Sequence, residues 1–160
     1  MDPNNTKIGE KVCLRLTSYF NDGKKRTLTA DNFFSSYDLV SKLYNANYSY
    51  VGTLRRNKPH IPLCFQASKS RALLSSLFCF KDEKTIVSYV PKPNKVVILI
   101  SSEHHSSSIS DNECKPEIIL FYNRTKGSVD AVDQKIEKYT CRRKSNRFLF
   151  FFNLFKITFF

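Results

Sequence analysis

Apolar and polar positions along this chain change period several times, and each change marks an element boundary. Positions 7–20 alternate loosely, with Ile8, Val12, Leu14 and Leu16. They fit a helix or a strand, and the context favours a helix. Asn21-Asp22-Gly23-Lys24-Lys25 reads as a turn, because Asn, Asp and Gly tolerate the backbone angles a turn requires. A short β-prone run follows at 26–30. Positions 33–45 then carry Phe33, Phe34, Tyr37, Val40, Leu43 and Tyr44 at helical spacing, with Asp31 or Asn32 placed as the N-cap. Asn45-Ala46-Asn47 breaks that pattern, and 48–54, rich in Tyr, Val and Thr, reads as a second strand. The sum is a β-α-β unit, which normally builds a parallel crossover.

Further along, 55–62 is a basic, proline-bearing loop and 63–74 is ambiguous. Three β-prone runs follow at 77–80, 85–90 and 96–101. Lys81-Asp82-Glu83-Lys84 and Pro91-Lys92-Pro93-Asn94 are the turns between them, so an antiparallel meander is expected. Positions 102–115 are polar and read as a mobile surface loop. A short apolar run occupies 117–122, and a new element is expected to begin at Gly127. Within it Val129, Val132 and Ile136 keep helical spacing, with Asp130 and Asp133 offset from that stripe. After a basic joint at 141–147, the stretch 148–160 holds seven phenylalanines in 13 residues. A membrane span needs about 20 apolar residues, so this stretch is expected to be a truncated hydrophobic core helix, with no membrane association. No internal repeat is visible.

Charge narrows the partner. Lys and Arg number 26 against 14 acids, a net charge of +12 in 160 residues, which favours an anionic partner, nucleic acid first. The alternative is a solvated basic surface. The five cysteines (Cys13, Cys64, Cys79, Cys114 and Cys141) are widely spaced and form no C-x-x-C pair. That argues against a zinc site or disulfide framework and for reduced thiols inside a cell. The opening residues are polar, unlike a signal peptide. His60, His104 and His105 do not form a metal set, and no Gly-rich phosphate loop is present, so no small-molecule cofactor is expected.

The candidate chemistry lies in two acidic motifs about a hundred residues apart. Asp31 ends a strand and opens a helix, a position that suits a cap as well as a site. Asp130 and Asp133 are three apart on an expected helix, where acids also favour the helix dipole. Together, carboxylates from distant segments are what Mg²⁺ requires. Two-metal nucleases and polymerases use such carboxylates on phosphodiesters. Arg55, Arg56 and Lys58, with Arg142, Arg143, Lys144 and Arg147, could hold the phosphates, or could form a solvated basic face.

At these motifs the chain resembles the piggyBac transposase family almost from end to end. The segments concerned are Thr29-Ala30-Asp31-Asn32-Phe33-Phe34-Ser35-Ser36, Val51-Gly52-Thr53-Leu54-Arg55-Arg56-Asn57-Lys58, Ser88-Tyr89-Val90-Pro91-Lys92-Pro93-Asn94-Lys95, Tyr122-Asn123-Arg124-Thr125-Lys126-Gly127-Ser128-Val129-Asp130-Ala131-Val132-Asp133-Gln134 and Arg142-Arg143-Lys144-Ser145-Asn146-Arg147. The resemblance implies an α/β fold, a partial RNase H-like (DDE/DDD transposase) core with a β-rich insertion at 63–115. One truncated catalytic domain would cover 1–160. It also implies cut-and-paste DNA transposition by Mg²⁺-dependent strand cleavage and transfer, in the nucleus. Asp31 matches the second metal-binding aspartate of that pattern, Asp130 the third, and Asp133 a nearby supporting acid. The family's first aspartate lies well upstream of the second; Asp2 and Asp22 do not have its setting. The expectation is therefore a transposase-derived remnant that is inactive. The alternatives are a domesticated, non-enzymatic DNA-binding or protein-interaction module and a decayed product without retained function.

Overall fold

The chain is described by a computed structural model over residues 5–20, 22–66, 71–127 and 157–159. Helix α1 (Asn5–Ser18) leads to strand β1 (Arg26–Ala30), helix α2 (Tyr37–Asn45) and strand β2 (Tyr48–Thr53). β1 and β2 pair in parallel, from Arg26↔Tyr48 to Ala30↔Gly52, so the β-α-β unit forms as the pattern predicts. Strands β3 (Ser76–Lys81), β4 (Lys84–Lys92) and β5 (Lys95–Ser101) make the expected antiparallel meander. β5 then pairs antiparallel with β2, which joins the meander to the β-α-β unit in one six-stranded mixed sheet. A two-residue pair, β6 (Ile109–Ser110) with β7 (Lys115–Pro116), ties down the polar loop that follows β5.

Two expectations shift. The helix expected over 33–45 begins at Tyr37, and its N-cap is Ser36 rather than Asp31 or Asn32. The Leu39 N–H donates to Ser36 Oγ at 3.0 Å. Residues 31–35 instead form a turn in which the N–H groups of Phe34 and Ser35 both donate to the Asp31 carbonyl. Phe34 is buried there, edge-on to Phe33. Second, the run at 117–122 is not a separate element. Residues 117–127, labelled α3, are one described stretch of helix. Ile118, Ile119, Tyr122 and Thr125 keep helical spacing, but the β-branched pair at its start imitates a strand. Pro116 stands just before that first turn, where a missing N–H costs nothing.

The sheet divides the core in two. On one face Leu28, Ala30, Tyr50, Ile86, Ile98 and Ile100 pack under α1 and α2, against Cys13, Leu39, Val40 and Leu43. Burial pushes the Cys13 thiol up to about 12, so it stays protonated and inert. On the other face Val51, Val87, Tyr89 and Leu99 pack under α3, through Ile118 and Ile119. Covering both faces explains why β2 is almost wholly buried, as parallel strands usually are. The end of α1 is closed by Tyr48, whose hydroxyl lies 2.8 Å from the Thr17 carbonyl oxygen and 3.0 Å from that of Phe20.

The last described strand, β8 (Ile157–Phe159), pairs antiparallel with the outer edge of β1. These three residues were expected to end a helix. Ile157 and Thr158 are β-branched, and the free edge of β1 offers backbone partners that a helix would not use. The rest of the phenylalanine-rich stretch lies outside the described residues. Four cysteines are described, and all four are free thiols.

Glycine is required at one point in β2. A Cβ on Gly52 would stand 2.7 Å from Ser35 Oγ, 2.7 Å from the Tyr50 hydroxyl and 2.8 Å from the Ala30 carbonyl oxygen. Gly52→Ala is therefore expected to cost about 2 kcal/mol through overpacking, although alanine is the better residue for an ordinary strand. The check is the shift in urea midpoint; an unchanged or raised midpoint would count against the close approach.

His104 fastens α3 to the end of β5. Its ring stands edge-on to Phe121 at 5.0 Å between centroids, and its Nδ1 lies 3.0 Å from Ser101 Oγ. Burial lowers its pKa below the usual value, with Glu117 and Glu103 opposing that shift. The unfolded chain therefore binds a proton at higher pH than the folded one, so stability falls as pH drops through the ordinary histidine range. Thermal melts from pH 7.5 to pH 5.5 are expected to show this decline, with a shallower slope in His104→Gln.

Candidate functional site

Asp31 follows the last residue of β1, at the strand's C-terminal end. The turn behind it is fixed by a buried relay. The Tyr50 hydroxyl lies 2.7 Å from Ser35 Oγ, and Ser35 donates to the Asp31 carbonyl oxygen at 3.1 Å. Tyr50 is fully buried, and burial holds its phenol well above the ordinary range, so it stays protonated and able to donate. Gly9 of α1 lets the helix settle onto the same turn: a Cβ there would stand 2.7 Å from the Phe33 carbonyl oxygen. The Asp31 carbonyl is thus tied to β2, and α1 lies against the turn that follows at Phe33 and Phe34.

The carboxylate itself is held by one oxygen. Asp31 Oδ1 accepts from the Asn32 N–H at 2.6 Å and from the Thr53 hydroxyl at 2.9 Å. Oδ2 has no hydrogen bond from any described residue. Thr53 stands two positions beyond Val51, which packs under α3, so the carboxylate lies at the rim of the α3 face. Two residues before Asp31, Thr29 Oγ1 donates to Thr125 Oγ1 at 3.1 Å, and Thr125 donates to the Phe121 carbonyl oxygen at 2.9 Å. The last described turn of α3 is therefore tied to β1 beside this rim.

Arg55 joins the rim through Asn32: its Nε donates to Asn32 Oδ1 at 3.0 Å. Arg55 and Arg56 are exposed. Lys58 is placed differently. It lines a groove of about 600 Å³ with Glu10, Tyr37, Lys42 and His60, on the α1 and α2 side. Glu10 and Lys42 form an ion pair across that groove. The groove is apart from the Asp31 carboxylate and holds no part of its chemistry. Asp130, Asp133, Arg142, Arg143, Lys144 and Arg147 lie outside the described residues. Asp22 is engaged elsewhere. Its hydrogen bonds to Arg26 hold it down at about 2, in an exposed turn away from β1's far end.

Sequence reasoning picked Asp31 and Arg55 but missed Asn32, Thr53, Thr29, Tyr50 and Ser35, which hold them. The alternation of β2 carried a usable signal, since Thr53 falls on the same face as Val51 and two positions beyond it. The donor chemistry at Asp31 suits a hard divalent cation: a carboxylate with one oxygen fixed and one unclaimed by described groups. Among the described residues no three His, Cys, Asp or Glu side chains cluster.

This arrangement has known relatives. The family model described as Transposase IS4 matches residues 1–160, and the chain belongs to that family of transposases. Within it the chain is of the piggyBac type. The structure of the piggyBac transposase synaptic complex with hairpin DNA matches it at a TM-score of 0.79 and 38% identity. That match covers 93% of this chain and 32% of the solved one, so the chain spans about a third of its length. The mixed α/β fold and the piggyBac resemblance read from the motifs are both supported by this likeness.

Thr53→Val keeps the shape of the side chain and removes the hydroxyl that donates to Asp31. A hydrogen bond to a charged group is worth about 1.5–3 kcal/mol, so the variant is expected to lose about that much in urea unfolding. Thr53→Ser is expected to retain most of the stability, and equal losses in both would point to packing instead.

Proposed function

We propose that this chain is a segment of a cut-and-paste DNA transposase catalytic core, with Asp31 as one carboxylate of a divalent-metal site. In this reading the β-α-β unit and α3 belong to an RNase H-like core, and 63–115 is the β-rich insertion, continuous with its sheet. The observation that carries the reading is the state of Asp31. The fold ties its carbonyl to β2, anchors one carboxylate oxygen, and leaves the other unengaged by described groups, with an arginine tethered next to it. Carboxylates that ligate a metal are themselves held by hydrogen bonds of this kind.

Asp130 is the proposed second ligand, with Asp133 supporting it. Asp130 is five residues beyond Thr125, and a five-residue chain spans at most roughly 17 Å. Thr125 is bonded to β1 two residues before Asp31, so that chain length is compatible with the proposed pairing. A bound Mg²⁺ would supply charge to activate the attacking oxygen and stabilise the leaving one. This chain's own residues orient and hold. Thr53 and the Asn32 N–H fix the carboxylate, Arg55 and Arg56 face the phosphates, and Lys58, Arg142, Arg143, Lys144 and Arg147 are the remaining proposed DNA contacts. DNA is the proposed partner and the nucleus the proposed compartment. The solved relative is a transposase complex with hairpin DNA, and the net charge here is +12.

The chain alone is proposed to be inactive in cleavage, because ligand number sets cation affinity and Asp22, the nearest acid before Asp31, is held by Arg26 in a turn away from this rim. That same observation favours the second reading, a DNA-binding module that does not cut. The test uses a fluorescein-labelled 30-base-pair duplex. Affinity is expected to fall by at least tenfold between 50 and 200 mM salt, without Mg²⁺-dependent nicking. Salt-independent binding would end the DNA reading. Nicking abolished by Asp31→Ala would overturn the proposal of inactivity and assign the chain a complete site.

A further inference from the structure

We propose that Asn32 is the positioning residue that presents Arg55 to a nucleic acid phosphate, coupling the arginine to the Asp31 carboxylate. The inference rests on the DNA reading of this rim and goes beyond it by assigning a role to a neutral residue. Asn32 faces both ways. Its backbone N–H donates to Asp31 Oδ1 at 2.6 Å, and its side-chain Oδ1 accepts from Arg55 Nε at 3.0 Å. One residue therefore fixes the spacing between the anion that would hold a cation and the cation that would hold a phosphate.

The choice of guanidinium atom matters. Arginine carries five N–H donors in a planar fork. Asn32 takes the Nε–H, at the root of the fork, and no described residue accepts from the two terminal NH₂ groups. Those two groups grip phosphate in a bidentate manner. Arg55 is exposed, so without this tether its long side chain would sample many rotamers, all but a few of which must be given up on binding. Asn32 has already restricted them. Asn32 is itself half-buried in the turn that Asp31, Ser35 and α1 hold, so the tether is anchored to a fixed part of the fold.

Substitution can separate the two functions of Asn32. Asn32→Ala removes the acceptor for Arg55 but retains the backbone N–H that serves Asp31. The experiment is a double-mutant cycle with Asn32→Ala and Arg55→Ala, read as affinity for the same duplex in the absence of divalent metal. Thermal melts establish that each variant is folded, with Asn32→Ser as a second substitution should the alanine fail to fold. Arg55→Ala is expected to weaken binding about tenfold and to reduce the salt slope by about one. Asn32→Ala is expected to weaken it about threefold, and to have no further effect once Arg55 is gone. Independent, multiplicative losses, or unchanged affinity in Asn32→Ala while Arg55→Ala weakens binding, would overturn the proposal. If Arg55→Ala changes neither affinity nor salt slope, the DNA reading of this rim falls as well.

Discussion

The meeting of β2 with the turn after β1 is the constraint on which the rest of the structure depends. Gly52 has no side chain because the Ser35 and Tyr50 hydroxyls and the Ala30 carbonyl oxygen already fill that space. The contact brings the buried phenol of Tyr50 to Ser35, and Ser35 to the Asp31 carbonyl. A parallel pair gives less hydrogen-bond stability per residue than an antiparallel one. Here the polar relay at its end adds a second fastening, and it does so at the position where the candidate carboxylate stands.

The sheet assigns different work to its two faces. The face under α1 and α2 is built largely from Leu, Ile, Ala and Tyr. The face under α3 carries Thr29, Thr53, Thr85 and Ser101 among its apolar residues. Thr29 clasps α3 and Thr53 clasps Asp31, so the hydroxyl-bearing face organises the rim while the apolar face supplies the core. This division follows from strand alternation alone, since successive residues of β1 and β2 must point to opposite sides.

Much of this was legible in the sequence. β-prone runs at 26–30, 48–54, 77–80, 85–90 and 96–101 located five of the six strands of the sheet, β8 being the exception. The order of the sheet was not legible, because nothing local states that β5 pairs with β2. The start of α2 was misread because an aspartate before an apolar run resembles a cap. Ser36 caps the helix instead, while Asp31 is occupied with Thr53 and Asn32. The partners of Asp31 were hidden for the same reason: Thr53 is 22 residues away in sequence, and only the parallel register brings it alongside. Asp31 and Arg55 could be picked from their motifs, but the residues that aim them could be found only in three dimensions.

β8 reaches the candidate site from an unexpected direction. Its described residues pair along the outer margin of β1, with Ala30 opposite Ile157. Ala30 immediately precedes Asp31, so the strand that leads into the carboxylate has a bonded neighbour on each side. Ala30 is thus bonded along both its sides, to β2 within and β8 without, so the residue that leads into Asp31 belongs to the interior of the sheet and not to its margin.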